Sequence, residues 1–133
     1  MRHIFLYGVL RADVAQWPFL AGLGPGQPAA TRGTLHAVPD PNGWYPALTQ
    51  GDTTVHGVCH EVGAVDITAI DAFEGSEYSR REIAVSLADA AMITATADAY
   101  IWNASLPAGA VLIRDGDFAR WLIETGHQPF ADI

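Results

Sequence analysis

The sequence predicts a single α+β domain spanning residues 1–133, and three observations support that prediction. Half of the 133 residues are hydrophobic and only 17% are charged, which is enough to bury one core and too apolar for disorder. Five or six strand-like segments and two or three short helix-like segments follow one another without strict alternation, as in α+β domains. Several long strands in so small a domain further suggest a curled sheet or a barrel.

The N-terminal half predicts three strands joined by turns. Residues 3–7, HIFLY, form a compact apolar run before Gly8 and predict a buried first strand. Residues 13–23 could hold a short helix interrupted by Pro18, and residues 22–28, GLGPGQP, predict a loop. Further along the chain we expect a strand over 30–38, a turn-rich surface excursion over 39–46 and a strand over 53–62.

Residues 65–75, VDITAIDAFEG, give the clearest helix prediction. Asp66 is a good N-cap, and Gly75 supplies a C-terminal stop. An apolar stripe recurs every three residues between these ends, at Ile67, Ile70 and Phe73.

The C-terminal third predicts a β-hairpin followed by a terminal helix. Residues 77–87 and 92–104 are two long strand-like segments that break around the ADAA stretch at 88–91. Residues 117–126 predict a helix that is capped by Asp117 and ends at Gly126.

Composition and charge exclude several classes of protein. Fifteen acidic and seven basic residues give a net charge of −8, and no basic cluster is present, which argues against nucleic-acid or anionic-membrane partners. The single cysteine, Cys59, excludes an internal disulfide framework and fits a reducing compartment. The N-terminal apolar run is too short for a signal or membrane segment. We therefore expect an acidic cytoplasmic protein, and its oligomeric state stays open.

Glu74 is the most informative candidate for chemistry. It lies in the last turn of the predicted helix, where the negative end of the helix dipole disfavours an ionised carboxylate. If the side chain also points into an apolar pocket beside Phe73, desolvation raises its pKa further, towards that of a group that exchanges protons near neutral pH. The alternative is an exposed glutamate on the shoulder of a helix.

Two other stretches could contribute to a site. Gly8 directly follows a buried strand, where a turn can bring the backbone close to a ligand and form an anion-binding nest, although ordinary strand-ending turns have the same sequence. Tyr78 and Arg80 share one face of the next strand, opposite the face of Ile83 and Val85. They could bind a substrate carboxylate, fix Glu74, or form a solvated strand face.

Several familiar sites are not predicted. His56 and His60 share a strand face but lie roughly 13 Å apart at the rise of a strand, too far for one metal ion. Cys59 is most simply a small buried hydrophobic residue. The sequence contains neither a G-x-S-x-G nucleophile elbow nor the lysine of a P-loop.

In combination, these segments resemble the gamma-glutamylcyclotransferase-like family, in particular its AIG2-like and gamma-glutamylamine cyclotransferase branch. The similarity covers roughly residues 3–104 in the family's order and spacing. The matching segments are Tyr7-Gly8-Val9-Leu10, Gly33-Thr34-Leu35, Tyr45-Pro46-Ala47, Val55 with Gly57 and Val62, Ile70-Asp71-Ala72-Phe73-Glu74-Gly75, Tyr78-Ser79-Arg80 through Val85, and the late strand around Tyr100.

The resemblance implies a small mixed β-barrel flanked by short helices, and an enzyme that releases 5-oxoproline from gamma-glutamyl amines or amino acids. The α-amine of the substrate attacks its own γ-carbonyl, and Glu74 moves the protons. The backbone of Tyr7, Gly8, Val9 and Leu10 would hold the glutamyl part, with Tyr78 as a pocket wall. Neither a metal nor a cofactor is implied, and the partner is the small-molecule substrate.

Val9 departs from the family pattern, which has serine or threonine at this position. A backbone N–H survives the change, whereas a hydroxyl donor does not. A non-catalytic member that binds a small ligand or a protein partner is therefore the alternative, followed by a related hydrolase or amidotransfer reaction in the same cavity.

Overall fold

The structure is a computed structural model that describes residues 2–15, 17–87 and 94–131. The strands are His3–Leu6 (β1), Gly26–Asp40 (β2), Gly43–Glu61 (β3), Tyr78–Leu87 (β4), Thr94–Trp102 (β5) and Val111–Leu112 (β6). The helices are Ile67–Glu74 (α1) and Phe118–Thr125 (α2), and a 3₁₀ turn covers Pro18–Leu20.

Five of the strands close into a mixed barrel in the order β3-β1-β5-β4-β2, because β2 also pairs with β3. β1 and β5 run parallel, with Ile4 opposite Asp98, whereas the other pairs around the barrel are antiparallel. β6 adds a short outer strand to β2. The predicted α+β class and the small mixed barrel flanked by short helices are confirmed.

The two helices begin and end where the sequence predicts. The Asp66 side chain accepts a hydrogen bond from the Thr68 N–H at 3.0 Å, and Gly75 follows α1 with a φ of 82°. Asp117 caps α2 in the same way through the Arg120 N–H at 3.2 Å. Because these side chains satisfy N–H groups that a helix leaves unpaired, each start is fixed by local chemistry.

The stretches 22–28 and 39–46 differ from their predicted loop conformations. Gly26–Pro28 belong to β2, and residues 39–46 form the tip of the β2–β3 hairpin, with Asp40 opposite Gly43 across a two-residue turn. The C-terminal segment completes this tip, since the Trp44 N–H donates to Gln128 O and the Phe130 N–H donates to Trp44 O. Pairing with distant chain therefore overrides local turn preference. The predicted break at 88–91 lies outside the described residues.

Candidate active site

A cavity of about 200 Å³ lies where β1 runs into the loop that follows it. It is lined by residues 5–10, by Asp40, Tyr45 and Pro46 of the β2–β3 hairpin, by Phe73, Glu74 and Glu77 around the end of α1, and by Tyr78, Tyr100 and Phe130. This volume is below the ~300–1,000 Å³ that is usual for drug-sized ligands, so the cavity suits a small molecule. The site residues implied by the resemblance, from Tyr7 to Leu10 together with Glu74 and Tyr78, all line it.

The loop after β1 lines this cavity and carries backbone N–H groups without an acceptor. Residues 7–10 are all buried, yet the N–H groups of Gly8, Val9 and Leu10 donate to no acceptor within the described residues. Buried N–H groups without acceptors are costly, so an anionic ligand at this loop would be stabilised. The loop is held from behind, because Trp17 Nε1 donates to Val9 O at 2.8 Å.

Gly8 is required here by packing. A Cβ built on Gly8 would overlap Cγ of Pro46 and lie 2.7 Å from its Cδ, so no larger residue fits against this rigid ring. The sequence-based prediction assigned the small size of Gly8 to close approach of a ligand, whereas the contact in question is with Pro46 of β3. The Tyr7-Gly8 and Tyr45-Pro46 segments therefore pack directly against each other.

Glu74 is the last residue of α1 and has no charged or hydrogen-bonding partner among the described residues. The residue is half-buried, and desolvation of its carboxyl raises the pKa of Glu74 from 4.5 to about 8. Phe73, beside it, packs against Trp17, Phe19 and Phe130 with ring centroids 4.7, 5.2 and 6.1 Å apart. This aromatic surrounding supplies the low-polarity environment that favours a neutral carboxyl group.

Four tyrosines line the cavity, and three of them, Tyr7, Tyr78 and Tyr100, donate their hydroxyl protons to acceptors within the protein. Tyr7 donates to the carbonyl of Tyr100, Tyr78 donates to the carbonyl of Pro46, and Tyr100 donates to Asp71 Oδ1 at 2.6 Å. Burial is the main cause that raises the pKa of each, and the Glu74 charge raises it further. These three rings are therefore neutral at physiological pH. Their hydroxyl protons are already donated, so the donors that remain for a ligand include the loop N–H groups of residues 8–10.

Arg80 lies outside the cavity, in an ion-pair network on the outer surface. Its guanidinium bonds Asp71 Oδ1 at 2.9 Å and Asp71 Oδ2 at 3.3 Å, and it also contacts Asp98 Oδ2 at 3.3 Å. Arg80 therefore contacts neither Glu74 nor the cavity, although the sequence had left both roles open. Instead it anchors α1 to β4 and β5 through Asp71, which in turn receives the hydroxyl of Tyr100.

Asp40, Tyr45, Glu77 and Phe130 are among the cavity residues that were not predicted from the sequence as site residues. Tyr45 stood within the Tyr-Pro-Ala segment of the resemblance, which was the available signal. Asp40 and Phe130 reach the cavity only because the hairpin tip and the C-terminal segment pair with each other, and no local pattern reports that pairing.

The remaining candidates lie elsewhere. Cys59 is 3% exposed in the barrel core, and burial raises the pKa of its thiol. The His60 ring bonds the carbonyl of Gly24 at 3.0 Å. No group of histidine, cysteine and carboxylate side chains suited to a metal ion occurs within residues 2–15, 17–87 and 94–131. In the same described ranges, no helix has the length and apolarity needed to cross a membrane.

Residues 4–120 match the family described as Gamma-glutamyl cyclotransferase, AIG2-like. No curated protein matches the sequence.

Solved structures share the fold at low sequence identity. An AIG2-like protein of Mus musculus is 18% identical, with a TM-score of 0.73 over 100% of this chain and 97% of that one. YkqA of Bacillus subtilis is 21% identical, with a TM-score of 0.68 over 94% of this chain but only 42% of the YkqA chain. A protein of Arabidopsis thaliana is 19% identical, with a TM-score of 0.65 over 94% of this chain and 83% of that one.

Proposed function

The chain belongs to the gamma-glutamyl cyclotransferase, AIG2-like, family, and from this premise we propose that it releases 5-oxoproline from a γ-glutamyl amine or γ-glutamyl amino acid. The observation that carries the proposal is the meeting, in one small cavity, of an isolated carboxyl group with a raised pKa and a loop of unpaired N–H groups. Each half of this arrangement suits one end of a γ-glutamyl substrate.

The loop is suited to the α-carboxylate of the glutamyl group. The N–H groups of Gly8, Val9 and Leu10 are consecutive and buried, so they offer fixed partial positive charge without a mobile side chain. Tyr7 and Tyr78 line the same space. A carboxylate held there leaves the rest of the substrate to extend past Glu74.

Glu74 is suited to the proton transfers. In its ionised form it accepts a proton from the α-ammonium of the substrate, and the free α-amine then attacks the γ-carbonyl carbon. A new C–N bond closes the five-membered ring while the C–N bond to the departing amine breaks, and Glu74 returns its proton to that amine. The ring nitrogen loses a second proton as it becomes the lactam N–H, and the departing amine takes up that proton and leaves as an ammonium. A group with a pKa of about 8 is well matched to both directions of transfer near neutral pH.

Substrate orientation and proton transfer each make a contribution to the rate that can be estimated. Orienting an amine against a carbonyl of the same molecule can lower the barrier by roughly 7–11 kcal/mol, and a positioned acid–base group contributes about 10²–10⁴-fold. On this proposal the cavity has to fold the substrate and move protons, and we assign these tasks to the loop N–H groups and to Glu74.

Turnover of a panel of γ-glutamyl amides, followed by 5-oxoproline formation, tests the proposal. We expect Glu74→Gln to lose at least about a hundredfold in kcat, because the amide cannot exchange a proton. Glu82→Gln, which removes an exposed carboxylate of β4, is the matched control and should keep wild-type rates. Equal rates for the wild type and Glu74→Gln would show that Glu74 has no role in proton transfer.

The same experiment separates the competing functions. Val9 lacks the hydroxyl of the family pattern and favours a ligand-binding member without catalysis, which predicts thermal stabilisation by the amides and no product. A hydrolase would release free glutamate, which mass spectrometry distinguishes from its cyclic form.

A further inference from the structure

Burial divides the cavity into a floor and a mouth. The loop residues 7–10, Pro46 and Tyr100 are buried and form the floor, and Phe73, Glu74 and Tyr78 around the end of α1 are half-buried. Asp40 and Tyr45 of the β2–β3 hairpin and Phe130 of the C-terminal segment are also half-buried, and Glu77 is exposed. If the loop N–H groups hold the glutamyl carboxylate, the departing amine extends towards these last four residues. The mouth residues therefore contact the part of the substrate that distinguishes one γ-glutamyl compound from another.

Two carboxylates lie at this mouth with no cation to balance them. Neither Asp40 nor Glu77 forms an ion pair with any described residue, and one oxygen of Asp40 accepts the Asn42 N–H at 3.0 Å. All seven basic residues of the chain are arginines, and none of them lines the cavity. The mouth is thus uniformly negative, in a protein whose net charge is −8.

Two aromatic rings complete the mouth. Tyr45 and Phe130 meet edge to face with centroids 6.1 Å apart, and faces of such rings attract cations. Burial raises the pKa of Tyr45, and the charges of Glu77 and Asp40 raise it further, which is consistent with both carboxylates lying near its hydroxyl. Carboxylates and aromatic faces together favour a positive group and disfavour a negative one.

We propose that this mouth selects γ-glutamyl substrates whose departing amine carries a second, positively charged group, and that Asp40 and Glu77 are the specificity-determining residues. The inference rests on the proposed function, which supplies the direction in which the substrate lies. Phe130, which completes the mouth, lies in the C-terminal segment after residue 120, where the family match ends.

Three γ-glutamyl amides with identical five-carbon spacers test the charge preference. Their departing amines are 1,5-diaminopentane, hexylamine and 6-aminohexanoate, so the far end is an ammonium, a methyl or a carboxylate. We expect kcat/KM to fall in that order, with the cationic amide preferred over the anionic one by about tenfold to a hundredfold, mainly through KM. At about 1 M salt, where the Debye length is roughly 3 Å, the preference should shrink.

A double variant identifies the residues responsible. Asp40→Asn with Glu77→Gln should bring the cationic-to-anionic ratio close to one. The control double variant Glu82→Gln with Glu124→Gln removes the same charge from exposed positions away from the cavity and should keep the wild-type ratio. A wild type without preference for the cationic amide, or a mouth variant that retains the wild-type ratio, overturns the inference.

Failure of the proposed function is recognised separately. If none of the three amides yields 5-oxoproline, the cyclotransferase proposal fails. The charge preference is then tested by binding, with the dissociation constants of the same three compounds measured by calorimetry. Equal constants for the cationic and anionic amides, or no binding of either, then overturn the charge preference.

Discussion

Replacing Glu74 by glutamine should alter how the stability of the protein depends on pH. The carboxyl lies among aromatic rings without a charged partner, so the folded protein holds it protonated up to a pKa of about 8. The unfolded chain ionises the same group around pH 4.5. Glutamine is close in shape and stays neutral throughout.

The sign follows from the order of these two pKa values. Below about pH 4.5 both states are protonated, and Glu74 costs no stability. As the pH rises towards 8, the unfolded state alone releases the proton, so the free energy of unfolding falls, and it levels off above pH 8. A tenfold change in acid dissociation is worth about 1.4 kcal/mol, so the decline attributable to Glu74 between pH 5 and pH 9 is about 4 kcal/mol.

Urea denaturation at several pH values measures this decline as a difference between two proteins. The free energy of unfolding of Glu74→Gln minus that of the wild type should grow by several kcal/mol from pH 5 to pH 9, because all other titrating groups cancel. Glu82→Gln, at an exposed site, should give a nearly constant difference. A Glu74→Gln difference that changes by less than about 1 kcal/mol over this range would refute the assignment of a desolvated, unpartnered carboxyl.

Three further substitutions test the loop that holds the proposed anion site. Gly8→Ala should lower the free energy of unfolding by about 1–3 kcal/mol, because its Cβ overlaps the Pro46 ring, and an unchanged urea midpoint would contradict this packing. Val9→Thr should change kcat/KM by less than about tenfold, since we assign binding to backbone N–H groups, whereas a hundredfold gain would show that the missing hydroxyl matters. Arg11→Met should cost about 1–3 kcal/mol in urea denaturation, because Arg11 Nη1 contacts Asp117 Oδ1 at the start of α2 at 3.2 Å and its Nε and Nη2 donate to Asp13 at 2.9 and 2.6 Å. A neutral result would make these contacts dispensable.

The parts of the fold that the sequence predicts correctly are those governed by local chemistry. The start of α1 depends on Asp66 and its end on Gly75, and each acts within a few residues of itself. The position of Glu74 at the end of that helix follows directly. The ordered resemblance then predicted a small mixed barrel, where strand lengths alone had suggested either a curled sheet or a barrel.

The mouth of the cavity could not be predicted, because it depends on pairing between distant segments. Proline, asparagine and glycine around residues 39–46 favour turns locally, yet most of the stretch is strand because β2, β3 and the C-terminal segment pair there. Phe130 enters the cavity through the same pairing, from a region that has no helical or strand periodicity. Local propensity describes the hairpin turn correctly and gives no information on what packs against it.

Asp71 and Glu74 lie one turn apart on α1, and their surroundings drive their protonation in opposite directions. Hydrogen bonds from Arg80 are the main cause that lowers the pKa of Asp71, whereas desolvation raises that of Glu74. The ionised Asp71 is thereby used to anchor the helix and to orient the Tyr100 hydroxyl, and that hydroxyl is not available to Glu74. Arg80 and Tyr100, which flank the helix end, thus leave Glu74 without a partner. A carboxyl group left free in this way gains its most favourable contact from a ligand that brings its own ammonium, and the α-ammonium of a γ-glutamyl compound is such a group.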